Sequence, residues 1–131
     1  MSNRENNGAE IGISRMVKIT FGHKDKLQKL LNNTISTLQD YKEEFERHLR
    51  EKDHEGLGVL IHTSTMTLYY IEATRLDKLM RRCRALLLDD NGSKALQDAS
   101  TATLKEFNAV MAAVKAIDLD QALREHAPKN I

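Results

Sequence analysis

At 131 residues the chain has the length of one domain and is long enough to bury a single core. Its 40% hydrophobic and 30% charged residues exclude a disordered composition, and six glycines with one proline leave too few turn residues for an all-β fold. A net charge of +1 gives no reason to expect nucleic acid or an anionic membrane as partner, and a single cysteine excludes an internal disulfide.

The opening MSNRENNGAE is polar and carries both signs of charge, unlike a signal peptide, and no apolar run approaches the ~20 residues that cross a bilayer. Residues 1–10 are therefore expected as a loose end of a stand-alone, soluble, cytoplasmic chain. A short first helix is predicted where Ile13, Met16, Val17 and Thr20 share a face, stopped at Phe21-Gly22. A long second helix is predicted from about His23 to Lys52. Leu27, Leu30, Leu31, Thr34, Leu38, Tyr41, Phe45 and Leu49 form its apolar stripe, and Lys42, Glu43, Glu44, Glu46, Arg47 and Arg50 its charged face. Asp53 is placed to accept from the free amides of a third helix, His54 to about Ile71, with the stripe Leu57, Leu60, Ile61, Ser64, Leu68 and Ile71. Gly56 and Gly58 are poor helix formers in its first turns and mark either close packing or a frayed start.

A fourth helix is predicted over about Ala73–Leu88, with the stripe Leu76, Leu79, Met80, Cys83, Leu86 and Leu87, and it runs into the turn Asp89-Asp90-Asn91-Gly92. Ser93 can cap a fifth helix whose stripe is Leu96, Ala99, Thr103, Phe107, Val110, Val114 and Ile117. A short helix near Leu119–His126 and a loose end over 127–131 complete the chain. Short links between long amphipathic helices favour antiparallel neighbours. The expected fold is all-α, a single domain over 1–131: an antiparallel up-down four-helix bundle with a short extra N-terminal helix.

Most chemistry-bearing patterns are missing. A di-iron bundle needs paired Glu-x-x-His motifs facing inward, and the one such spacing, Glu51 to His54, straddles the Asp53 cap. There is no G-x-S-x-G, no evident Cys–His pair and no phosphate-binding glycine loop, so neither a metal, a cofactor nor a conventional enzyme is expected. Arg81, Arg82 and Arg84 read as a solvated helix face, and Cys83 as a buried, inert thiol. His62 is different. It sits mid-helix, one 100° step from the core position Ile61, so its ring is expected at the outward edge of the third helix with a nitrogen in solvent.

The stretch from Phe21 to Leu87 resembles the histidine phosphotransfer (HPt) domain of bacterial multistep phosphorelays. The resemblance rests on several elements in order: Phe21-Gly22 after a short helix; a long leucine-rich helix from Leu27 through Phe45; the charged segment Arg50-Glu51-Lys52-Asp53; Leu60-Ile61-His62-Thr63; then Leu68, Ile71, Ala73 and Leu76. It implies a monomeric phosphocarrier with His62 as phosphoacceptor, exchanging phosphate with response-regulator receiver domains, and a hybrid histidine kinase as a further partner. Thr63, Thr65, Met66 and Tyr69 are the expected partner-binding residues, with Tyr70 beside them, on a surface that joins the third helix to the exposed face of the second.

The sequence departs from the family after the histidine. Thr65 and Met66 stand where the family usually has lysine and glycine, and Glu72 where it commonly has another glycine. A neutral imidazole nitrogen is a good nucleophile near neutral pH, and a carrier need only present it on a rigid helix, because positioning and electrostatics dominate phosphoryl transfer. Two other readings stay open: an HPt-like module that binds a receiver or kinase without carrying phosphate, and an unrelated helical scaffold.

Overall fold

A computed structural model of the protein describes residues 9–89 and 93–126. They form six helices: α1 Ser14–Ile19, α2 Lys24–Arg50, α3 His54–Tyr70, α4 Thr74–Asp89, α5 Lys94–Lys115 and α6 Leu119–His126. No strand occurs among the described residues. Both predicted caps form. Asp53 Oδ1 accepts from the Gly56 amide at 2.8 Å, and Ser93 Oγ from the Leu96 amide at 3.1 Å, each satisfying a donor that the first turn leaves free. The expected turn at 89–92 lies outside the described residues from 90 onward, as do 1–8 and 127–131. Ala9 is buried against the core and the Gly12 amide donates to the Ile71 carbonyl at 2.9 Å, so ordered packing starts within the expected N-terminal loose end.

Three successive helices stop in the same way. After α3, Glu72 N donates to Tyr69 O (3.1 Å) and Ala73 N to Leu68 O (2.9 Å). After α2, Lys52 N donates to Leu49 O (3.1 Å) and Asp53 N to His48 O (2.8 Å). After α1, Phe21 N donates to Lys18 O (3.0 Å) and Gly22 N to Val17 O (3.1 Å). These are Schellman ends, which place one residue in the left-handed region. Glycine usually takes that position, yet here Phe21, Lys52 and Glu72 do so, with φ of 54°, 53° and 55°. A Cβ in this conformation costs roughly 1–2 kcal/mol, partly offset by the extra freedom that glycine would have unfolded. Lys52 is exposed. Lys52→Gly is therefore expected to raise the unfolding free energy by about 0.5–1 kcal/mol, read as a higher denaturation midpoint with unchanged slope.

The apolar stripes meet in one core. α2 packs on α3, α3 on α4, α4 on α5, and α5 closes back on α2. Leu27, Leu38, Phe45, Leu57, Leu60, Ile71, Leu76, Met80, Phe107 and Val110 have essentially no exposed surface. Phe45 of α2 and Phe107 of α5 meet at 5.8 Å between ring centroids, tilted by 49°. α1 and α6 pack on each other and on α2, and Lys24 of α2 reaches Asp120 of α6 at 2.9 Å. Ile13, Met16, Val17 and Thr20 are all buried, as their shared face predicts.

Polar groups in the core are mostly satisfied. Thr103 Oγ1 donates to Ala99 O at 2.7 Å and lies 3.3 Å from Cys83 Sγ, and burial pushes the Cys83 thiol up. Glu106 is less comfortable. Its side chain is buried, and desolvation pushes its carboxyl above the usual range against the pull of Arg75, whose Nε lies 3.5 Å away. Folding thus favours the protonated acid. That contribution is fully present below the unfolded pKa of ~4.3 and is lost as pH rises through the higher folded value. Glu106→Gln keeps the shape without the charge, so it should raise Tm at neutral pH and leave it unchanged near pH ~3.5. A lower Tm at neutral pH would mean that the Arg75 pair outweighs the desolvation.

Candidate functional site

His62 is exposed and lies at the middle of α3. The helix that carries it is fixed at its start by the Asp53 cap and along its inner face by Leu57, Leu60, Ile61, Ser64 and Leu68, all buried. Its two early glycines are packing residues. A Cβ at Gly56 would lie 2.5 Å from Cε1 and Nδ1 of the buried His48 ring, and a Cβ at Gly58 would lie 2.6 Å from the guanidinium carbon of Arg84. Arg84 in turn donates from Nε to the His54 carbonyl at 3.2 Å. The arginine run is thus only partly a solvated face: Arg81 and Arg82 are exposed, but Arg84 lies over α3.

The outward side of α3 is unusually apolar around the histidine. Val59 is 65% exposed, Met66 57% and Tyr69 51%. With His62 they recur at steps of three, four and three, so the four side chains form one ridge along the helix. Contiguous exposed apolar surface of this kind marks a docking site more often than chance exposure. Val59 was not singled out from the sequence, although its place one turn before His62 is a sufficient signal. Tyr70 turns inward and is half-buried.

The hydroxyls beside His62 are not equivalent. Thr63 is exposed. Ser64 is fully buried and donates to Ile61 O at 3.1 Å. Thr65 is exposed, but its Oγ1 also donates to Ile61 O, at 2.9 Å, which spends its only proton on the backbone. Thr65 therefore presents neither charge nor a free donor beside His62.

Contacts on either side of α3 show which neighbour His62 leans toward. Gly56 touches His48 of α2, and Thr67 Oγ1 lies 3.4 Å from Tyr41 Oη of α2. Gly58 meets Arg84 of α4, and Thr65 lines a cleft with Asp77 of α4. On a helical wheel His62 stands about 40° from Gly58 and 60° from Thr65, but about 120° and 140° from Gly56 and Thr67. The flank beside His62 is therefore that of α4.

At the C-terminal end of the ridge, Arg15 of α1 stacks on the Tyr69 ring at 4.1 Å, donates to Tyr69 O at 3.1 Å and faces Glu72 at 3.8 Å. These long-range contacts of α1 were not legible in the sequence. Among the described residues no group of three or more His, Cys, Asp or Glu is arranged to hold a metal ion, and no helix is long and apolar enough to cross a membrane. What the site offers is one accessible imidazole on a packed helix, in line with three exposed apolar side chains and next to the hydroxyls of Thr63 and Thr65. Comparison with protein-family models, with curated proteins and with solved structures finds no match to this chain.

Proposed function

We propose that the chain is a histidine phosphocarrier: an HPt-like, antiparallel up-down bundle of α2–α5 that exchanges a phosphoryl group between His62 and the aspartate of a response-regulator receiver domain. The observation that carries this reading is the exposed His62 in the middle of α3, set in the ridge of Val59, Met66 and Tyr69. Glu72 adds support. It adopts the left-handed conformation at the position where the resembled family commonly has glycine, ten residues after the histidine. In the transfer, the unprotonated ring nitrogen of His62 attacks phosphorus and an N–P bond forms. The O–P bond of the aspartyl phosphate breaks, its electron pair stays on the carboxylate, and the imidazole keeps its own N–H proton. The apolar ridge gives a receiver a centre to bury, and charged residues around it give a polar rim. The test is incubation with phosphorylated receiver domains: the expected product is an acid-labile, alkali-stable phosphate mapped to His62. No label on this chain, while a control carrier is labelled by the same receivers, would overturn the reading.

A second reading is favoured by one specific observation. Thr65 gives its proton to Ile61 O, and Met66 stands exposed beside His62, so the usual cation and the usual gap are both missing from α3. Under this reading the bundle binds a receiver or kinase through the same ridge and carries no phosphate. Binding without label in the same assay would select it.

A further inference from the structure

The cation missing from α3 has a replacement on α4. Two observations indicate how the helices lie side by side: the Arg84 guanidinium packs against Gly58, and Thr65 and Asp77 line one cleft. The two helices therefore run antiparallel here. Four residues along α3 from Gly58 comes His62, about 6 Å up the axis, and three residues back along α4 from Arg84 comes Arg81, about 4.5 Å in the same direction. Three more residues reach Thr65, and four more reach Asp77. Counted this way, Arg81 falls at about the level of His62 along the α3–α4 groove. It lies on the same α4 face as Asp77 and Arg84, at spacings of four and three.

Resting on the phosphocarrier reading, we propose that Arg81 is a phosphoryl-binding residue that takes the role left empty by Thr65, its guanidinium reaching across the α3–α4 groove to the phosphoryl group on His62. Arg81 is poised for this. Its side chain is 56% exposed, and its Nε donates to Asp77 Oδ2 at 2.9 Å. Asp77 is half-buried; its Oδ2 accepts from Arg81 and its Oδ1 has no partner among the described residues. That single bond orients the guanidinium and leaves the four N–H groups on its two Nη atoms to meet phosphoryl oxygens, the fork geometry that suits a phosphate. Axes of packed helices lie 8–10 Å apart, a gap that an arginine and a phosphoimidazole span together. The acids near the groove are themselves neutralised: Asp77 by Arg81 and Glu72 by Arg15. Arg84 is committed to the His54 carbonyl one turn earlier and serves as a fixed positive wall rather than a ligand.

The experiment needs no cognate partner. Phosphoramidate donates its phosphoryl group directly to imidazole: the ring nitrogen attacks phosphorus, the P–N bond breaks, and ammonia leaves with the bonding pair. Phosphorus NMR then follows the rate of formation and the hydrolysis half-life of the His62 adduct, with His62→Gln as the blank for the other four histidines. Arg81→Gln should slow formation about fivefold, the value of a charge-assisted contact at a screened site. Arg81→Lys should retain most of the rate, and Arg81→Gln with Thr65→Lys should recover it. Thr65→Lys alone should gain less than it gains in the Arg81→Gln background, and equal gains in both backgrounds would mean that Arg81 and the lysine do not share a role. Equal rates for wild type and Arg81→Gln would overturn the role of Arg81 and leave the carrier reading intact. No adduct on wild-type His62 would overturn both.

Discussion

Phe107→Ala is expected to lower the unfolding free energy by about 3–5 kcal/mol. Phe107 is fully buried on α5, and its ring meets the fully buried Phe45 of α2 at 5.8 Å. The truncation removes the transfer energy of the ring and leaves a cavity between two helices whose backbones are held by many other contacts and cannot collapse into it. The tilted pair adds about 0.5–1.5 kcal/mol beyond its buried area, and that is lost too. The chain has no Trp and 5% aromatic residues, so few side chains can take over the volume. Domains of this kind hold about 5–15 kcal/mol in total, so the variant should keep its helical signal in buffer yet unfold at a much lower denaturant midpoint. Phe45→Ala should behave alike, and the double variant should lose less than the sum of the two, because the second truncation removes a contact already gone. Helical circular dichroism against denaturant measures all three. A loss below about 1.5 kcal/mol for Phe107→Ala would show that the α2–α5 seam repacks.

The helices were legible because the stripes are strong and their stops are local. Asp53 and Ser93 announce their helices by chemistry that acts within three residues, and the short helix expected over Leu119–His126 forms. The ends of α1, α2 and α3 fall within two residues of their expected places, although the left-handed position of the stop is taken by Phe21, Lys52 and Glu72. His62 could be placed at the edge of α3 from one 100° step. Its neighbours could not: Arg84 over Gly58, Arg15 over Tyr69 and Asp77 across from Thr65 are contacts between helices, and no spacing within one helix encodes them. The same limit explains why the burial of Glu106, unremarkable in sequence, was not foreseen.

His62→Gln should reduce labelling from a phosphorylated receiver to background, while Thr65→Lys with Met66→Gly should speed transfer by about tenfold. The first effect is the removal of the nucleophile. Glutamine is neutral and of similar reach, and because His62 is exposed the exchange should alter stability by no more than about 0.5 kcal/mol. The second effect has two sources. Residues three and four positions on are the neighbours of His62 along the helix. Thr65 offers no charge there, and its proton is engaged with Ile61 O. A lysine would add a charge-assisted hydrogen bond worth about 1.5–3 kcal/mol when well formed, reduced to roughly 1 kcal/mol or less by exposure. Met66 is 57% exposed beside the imidazole and would have to swing aside for a receiver to close over it. Its flexible thioether permits this at a modest cost, and glycine removes the cost while taking about 1 kcal/mol from the helix. If Arg81 supplies one cation, as proposed, the new lysine should help less in the wild type than in Arg81→Gln. The measurement is the transfer rate from one phosphorylated receiver to wild type, His62→Gln and the double variant, run beside a control carrier. Labelled His62→Gln would move the acceptor to another histidine. Wild type and double variant both unlabelled, with the control labelled, would leave a module that binds receivers and carries nothing.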